Sequence, residues 1–207
     1  MDSGLIFKIL LITEYSIFSI IRLQYQRLAK KAGYRTVIEE SKKYSIFLSL
    51  LICYEVLTLF LYLLYPESII WAAVSMPLGW RWLGVILGIL ALLLFIWVHS
   101  NLGRNFSAKL RITDKQTLVE TGPYRWVRHP MYTAFYMLHI AAFFLTANWF
   151  IGVTWLIGLS IIIALRVNRE EAMMMKTFGD QYRSYMKRTG RFVPAIKIRD
   201  SDSNKVT

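Results

Sequence analysis

Long apolar stretches divided by short basic ones set the pattern of this chain. A helix that spans a membrane needs about 20 mostly apolar residues, and five stretches approach that length: 4–21, 44–65, 82–98, 132–147 and 149–165. The first is interrupted by Lys8 and Glu14, the second holds one acid, Glu55, and the third carries no charge. Only Asn148 separates the fourth from the fifth, which predicts a tight helical hairpin whose arms run past the limits drawn here. The pattern predicts an all-α, polytopic membrane protein with about five transmembrane helices.

Composition agrees with this reading. Of 207 residues 56% are hydrophobic and only 18% charged, whereas a soluble domain carries roughly a quarter charged residues and a disordered chain more. At this length the chain is one domain, 1–207, with no separate soluble module. The net charge of +12 would suggest a nucleic-acid partner if it were spread over the chain. It is not: residues 22–43 hold seven Lys and Arg, 99–131 hold six and 166–207 hold ten, whereas 66–81 hold only Arg81. Basic residues collect in cytoplasmic loops, so the expected topology puts the N-terminus outside and the C-terminus in the cytoplasm. The charge is a topology signal, and no nucleic-acid partner is expected. Asp2 precedes the first apolar run and no basic n-region leads it, so that run reads as a span and not as a cleaved signal peptide.

The polar segments carry the candidate chemistry. The one from 99 to 131 ends in Gly122-Pro123, a turn signal, and Pro130 stands where a helix can begin, since proline there gives up a donor that would be unpaired anyway. Backbone N–H groups after His129 would face the cytoplasmic interface, and such a helix start attracts anions. Arg125, Arg128 and His129 have two readings, as headgroup anchors for the fourth helix or as parts of a site. Beyond the fifth span Arg166 and Glu170 stand i, i+4 and can pair on one helix face. In water such a pair contributes about a few tenths of a kcal/mol, but at a partly desolvated membrane edge it is stronger. Met174, Phe178, Tyr182 and Tyr185 continue at helical spacing and predict a C-terminal amphipathic cytoplasmic helix, broken or re-capped at Gly179-Asp180.

Other chemistry is excluded. No strand followed by a glycine-rich turn and a helix occurs, so a Rossmann cofactor domain is ruled out. Cys53 is the only cysteine, which excludes an internal disulfide and a multi-cysteine zinc site. His99, His129 and His139 lack metal-ligand spacing and have no acidic residue beside them, so no metal is expected. Glu55, Glu14 and Lys8 are either functional groups or partners for polar groups on neighbouring helices.

The string TLVETGPYRWVRHPMY, a hairpin, R-x-x-x-E-E and FGDQYRSYMKRTGRFVP follow in order. Together they resemble the isoprenylcysteine carboxyl methyltransferase family of integral membrane enzymes over about the C-terminal half, from near Leu102 to Pro194. The resemblance implies S-adenosylmethionine as cofactor, with S-adenosylhomocysteine as product, bound at the cytoplasmic interface. Carried over position by position, Gln116, Thr117, Leu118, Val119, Tyr124, His129, Pro130, Met131 and Tyr132 would line the cofactor, with Lys109 as a further contact. Arg166 and Glu170 match the family's pair at the reacting end. The chain then divides into three N-terminal spans (1–98), a cofactor-binding and catalytic half (99–196) and a solvated tail (197–207). The expected acceptor is a lipid-like or prenylated carboxylate entering from the bilayer, such as isoprenylcysteine. A phospholipid N-methyltransferase, a sterol-reductase-like protein and a non-enzymatic membrane scaffold or transporter are the alternatives.

Overall fold

The computed structural model describes residues 3–31, 36–39, 42–103, 111–113 and 117–195. Every expected helix forms: α1 (Ser3–Lys31), α2 (Lys42–Leu64), α3 (Leu78–Leu102), α4 (Pro130–Thr146), α5 (Trp149–Phe178) and α6 (Asp180–Arg188). Four of them, α1, α2, α3 and α5, are long and apolar enough to cross a membrane, and α4 is a shorter apolar helix. The protein is an integral, multi-pass and overwhelmingly helical membrane protein. One small addition was not legible in the pattern: β1 (Thr36–Glu39) pairs antiparallel with β2 (Arg111–Thr113), placing Ile38 opposite Ile112 and Glu39 opposite Arg111.

Two helices outrun the apolar stretches that predict them. α1 continues to Lys31 and α5 to Phe178, because the Arg, Lys, Gln, Glu and Met residues that follow the apolar runs are themselves good helix formers. At 1.5 Å per residue, α5 is roughly 45 Å long against a hydrocarbon core of about 30 Å, so its charged end stands clear of the lipid. At Gly179 the chain takes a φ of 51°, which favours glycine, and its N–H closes on the Met175 carbonyl. That turn separates α5 from α6, as the Gly-Asp pair predicts.

α3 packs most extensively along α4, and α4 along α5. Phe18 of α1 stacks on Phe95 of α3 with ring centroids 3.7 Å apart, and both rings meet Phe135 of α4. The α4–α5 hairpin turns on two residues. Ala147 adopts the left-handed conformation, while the Asn148 side chain caps α5 by accepting from Ile151 N at 3.1 Å and donates to the Ile69 carbonyl at 3.0 Å. Leu50, Val56, Leu93 and Ile157 are more than half exposed; lipid tails solvate such a surface, and interior packing together with polar contacts holds the helices to one another. Between α2 and α5, Tyr54 donates to Thr154 at 2.8 Å and Trp155 to Thr58 at 2.8 Å. Lys8 lies 5.2 Å over the Tyr62 ring, and Glu14 is buried at 5% exposure on α1.

Candidate active site

The charged end of α5 meets the start of α4, and the residue that organises the meeting is Glu171. Its carboxylate is 8% exposed and accepts from Arg128 Nε at 3.1 Å, from Arg191 Nε at 3.2 Å and from Arg191 again through its other oxygen. His129 Nε2 stands 3.1 Å from the same carboxylate. An ionised carboxylate only accepts, so Nε2 carries the proton that bridges them. The spacing of α5 singled out Glu170, but its neighbour is the one held by two arginines and a histidine, each within 3.2 Å.

Arg128 is therefore not a headgroup anchor. Its side chain is 11% exposed, and besides Glu171 it donates to the carbonyls of Met186, at 3.0 Å, and Thr189. The expectation that histidines here lack acidic partners fails as well, because partners distant in sequence arrive through the fold. His129 meets Glu171, and His139 Nε2 lies 3.3 Å from Glu55 Oε1.

The backbone that follows α6 closes over this cluster. Arg128 N donates to Gly190 O at 2.8 Å, His129 N to Arg191 O at 3.0 Å and Gly190 N to Trp126 O at 3.1 Å. Thr133 Oγ1 reaches Phe192 O at 2.8 Å. The amides of residues 128 and 129 thus serve the chain's own strap, and the anion drawn to the start of α4 is the chain's own Glu171. Beneath the strap, Tyr185 donates to the Tyr124 carbonyl at 2.7 Å. Burial pushes the Tyr124 phenol well above its ordinary range, reinforced by the Glu170 charge and by Tyr185. Burial likewise raises Tyr182 and Tyr185, so all three phenols stay neutral donors.

Beside this locked cluster lies the second carboxylate. Glu170 accepts from Tyr132 Oη at 2.8 Å, stands 3.9 Å from Arg166 Nε and 4.0 Å from His129 Nδ1, and is 32% exposed. Arg166 itself is 11% exposed. The structure thus brings together Arg166, Glu170, Tyr132 and His129, while Tyr124 is buried in the turn at Gly122–Arg125. Pro130 and Met131 form the first turn of α4, and Thr117, Leu118 and Val119 lead toward the turn at Gly122–Arg125. Lys109 and Gln116 lie outside the described residues. Among the described residues no three His, Cys, Asp or Glu side chains converge as a metal site would require.

Sequence reasoning passed over Glu171 and Arg191 as members of the site. One signal was available: adjacent carboxylates on a helix face about 100° apart, so if Glu170 faces one neighbour, Glu171 must face another.

The class of protein is thus a polytopic helical membrane protein whose polar site lies where two apolar helices leave the bilayer. Residues 83–176, from near the start of α3 through most of α5, match the model of the isoprenylcysteine carboxyl methyltransferase family. Similar proteins carry the same name. The protein-S-isoprenylcysteine O-methyltransferase of Schizosaccharomyces pombe is 31% identical over 45% of this chain and 41% of its own length. That of Mus musculus is 29% identical over 46% and 34%, and that of Homo sapiens 29% over 41% and 30%. The aligned region spans well under half the length of these relatives. A solved structure of the eukaryotic intramembrane Ras methyltransferase ICMT superposes with a TM-score of 0.51 and 23% identity, over 77% of this chain and 55% of that one. At that identity the likeness concerns the fold.

Proposed function

We propose that the protein transfers a methyl group from S-adenosylmethionine to the carboxylate of a membrane-embedded amphiphile, with a prenylated cysteine as the best-fitting acceptor. The observation that carries this reading is the division of labour between two neighbouring carboxylates. Glu171 is consumed by Arg128, His129 and Arg191, whereas Glu170, a third exposed, keeps a surface that a cation can approach beside Arg166. A cationic sulfonium fits that surface, since opposite charge at a partly desolvated carboxylate is favoured.

When bound, S-adenosylmethionine supplies a methyl group on a positively charged sulfur, and its transfer to a carboxylate forms one C–O bond as one C–S bond breaks, cancelling a positive and a negative charge. Thr117, Leu118, Val119, Tyr124, His129, Pro130, Met131 and Tyr132 would line the cofactor, with Lys109 and Gln116 as further contacts. Arg166 holds the acceptor carboxylate and Glu170 balances the cofactor's charge while keeping Arg166 in place. A carboxylic acid is already ionised at neutral pH, so these residues need only align the two partners at about 3 Å and exclude water. No general base is required. In a phospholipid N-methyltransferase the acceptor is an amine, and an arginine at the reacting end would oppose it. The excess of Lys and Arg in 22–43, 99–131 and 166–207 supports a cytoplasmic site, with the N-terminus outside. The cofactor would then arrive from water and the acceptor sideways from lipid.

Arg166→Ala is expected to lower turnover of a prenylcysteine at least about 100-fold while calorimetric affinity for S-adenosylhomocysteine changes little. Unchanged turnover in that variant would remove Arg166 from the reaction and the carboxylate reading with it.

A further inference from the structure

The turn that precedes α4, Gly122–Arg125, carries Tyr124, and two elements grip it from different sides. From α6, Tyr185 donates to the Tyr124 carbonyl at 2.7 Å, and Arg188 pairs with Glu120 just before the turn. From the end of α3 comes a single side chain, Asn101, which uses both ends of its amide. Nδ2 donates to the Trp97 carbonyl at 2.8 Å, one helical turn back, and Oδ1 accepts from Thr121 Oγ1 at 3.1 Å.

The first of these bonds alone would be an ordinary closure of a helix end, because the last carbonyls of a helix have no partner within it. The second leaves the helix and crosses to the turn. A third contact makes the fit specific. Gly122 has a φ of 58°, which favours glycine, and a β-carbon built there would collide with the Asn101 amide. The side chain that Gly122 lacks is thus the seat of the amide, and the Trp97 and Trp126 rings, 5.7 Å apart, add a second contact between α3 and the turn.

Tyr124 shows what this grip serves. Its N–H donates to the Thr121 carbonyl at 3.1 Å and its own carbonyl accepts from Tyr185, so its backbone is fixed on both sides. Its hydroxyl, by contrast, has no hydrogen-bond partner among the described residues, although the side chain is buried. A buried hydroxyl of this kind leaves a hydrogen bond for a ligand or water to complete.

We propose that Asn101 is a positioning residue for cofactor binding: by seating Gly122 and holding Thr121 it fixes the turn against α3 and so sets where Tyr124 meets the S-adenosyl group. This rests on the methyl-transfer reading, in which Tyr124 is a cofactor contact. Asn101 acts only through the turn. Without it α6 keeps its own grip, so the chain stays folded while the turn spends part of its time away from the binding position. Apparent affinity falls by the fraction of molecules that remain competent, whereas a molecule that has bound the cofactor reacts as before. The expected signature is therefore a higher KM with an unchanged kcat.

The test uses the full chain in lipid nanodiscs and measures equilibrium binding of S-adenosylhomocysteine, steady-state methylation of N-acetyl-S-farnesylcysteine and thermal unfolding without ligand. Asn101→Ala, and Thr121→Val, which removes only the hydroxyl that Asn101 accepts from, should each raise the Kd for S-adenosylhomocysteine and the KM for S-adenosylmethionine about three- to tenfold. In both, kcat and the unfolding midpoint should stay near wild type. Gly122→Ala should weaken binding at least as much, and adding Asn101→Ala to it should cost nothing further, because the two substitutions disturb one contact. Unchanged affinity in Asn101→Ala, or effects of Asn101→Ala and Gly122→Ala that multiply, would overturn the proposal. So would an Asn101→Ala variant in which kcat, affinity and unfolding midpoint fall together, since that marks a purely structural role. A wild type that binds no S-adenosylhomocysteine would overturn the methyl-transfer reading and this proposal with it, so the wild type alone tells the two failures apart.

Discussion

Two acid–histidine contacts among the described residues, Glu171–His129 and Glu55–His139, are built on opposite principles. At the charged end of α5, Glu171 is surrounded by Arg128, His129 and Arg191 and lies under a strap of backbone hydrogen bonds. Deeper in the bundle, Glu55 and His139 have essentially each other, joined at 3.3 Å between α2 and α4. In the first cluster one carboxylate neutralises several cations, so it is a structural keystone whose removal strands every partner. In the second one acid meets one base, and no arginine or lysine pairs with Glu55 among the described residues. Polar groups at a membrane edge can thus fix a fold, while similar groups inside the bilayer merely satisfy one another.

Substitutions can break this contrast, and the largest effect belongs to Glu171. Glu171→Ala should cost about 3–5 kcal/mol, because breaking a buried network by removing its central partner leaves uncompensated charge. Thermal unfolding in detergent would show this as a sharp fall in midpoint or as loss of folded protein, and a midpoint close to wild type would refute the keystone role. The Glu55→Leu/His139→Leu double variant should change stability by no more than about 1 kcal/mol, or raise it, since replacing both partners by apolar groups strands neither. A double variant as damaged as Glu171→Ala would erase the distinction between the two regions. The smallest effect sharpens the comparison from the other side. Arg183 and Asp180 on α6 pair at 3.1 Å but are 64% and 91% exposed, so Arg183→Ala should leave the unfolding midpoint essentially unmoved.

Much of the fold was legible because lipid imposes a simple rule: a spanning helix must be long and apolar, and α2 obeys it almost residue for residue. The two-residue hairpin at Ala147-Asn148 was legible for the same reason, as the only polar break between two apolar runs. The end of α1 was not, since hydropathy reports where lipid stops and not where hydrogen bonding stops, whereas the end of α5 is marked by Gly179-Asp180. At the site, Arg166 and Glu170 were accessible because i, i+4 spacing is a local signal. Glu171 was passed over because its partners lie 43 residues before it and 20 after it, and the Glu55–His139 contact spans 84 residues.

The backbone strap also sets an order of assembly. Synthesis proceeds from the N-terminus, so α1 to α5 are complete while Gly190 and Arg191 are still to be made. Until those residues arrive, the amides of Arg128 and His129 lack the carbonyls they donate to in the finished fold, and Glu171 lacks one of its guanidinium partners. A translation product cut short before Gly190 therefore carries all five apolar helices and is an ordinary membrane protein to the insertion machinery, yet its site stays open. Residues 190 and 191 thus complete a site whose other parts lie earlier in the chain.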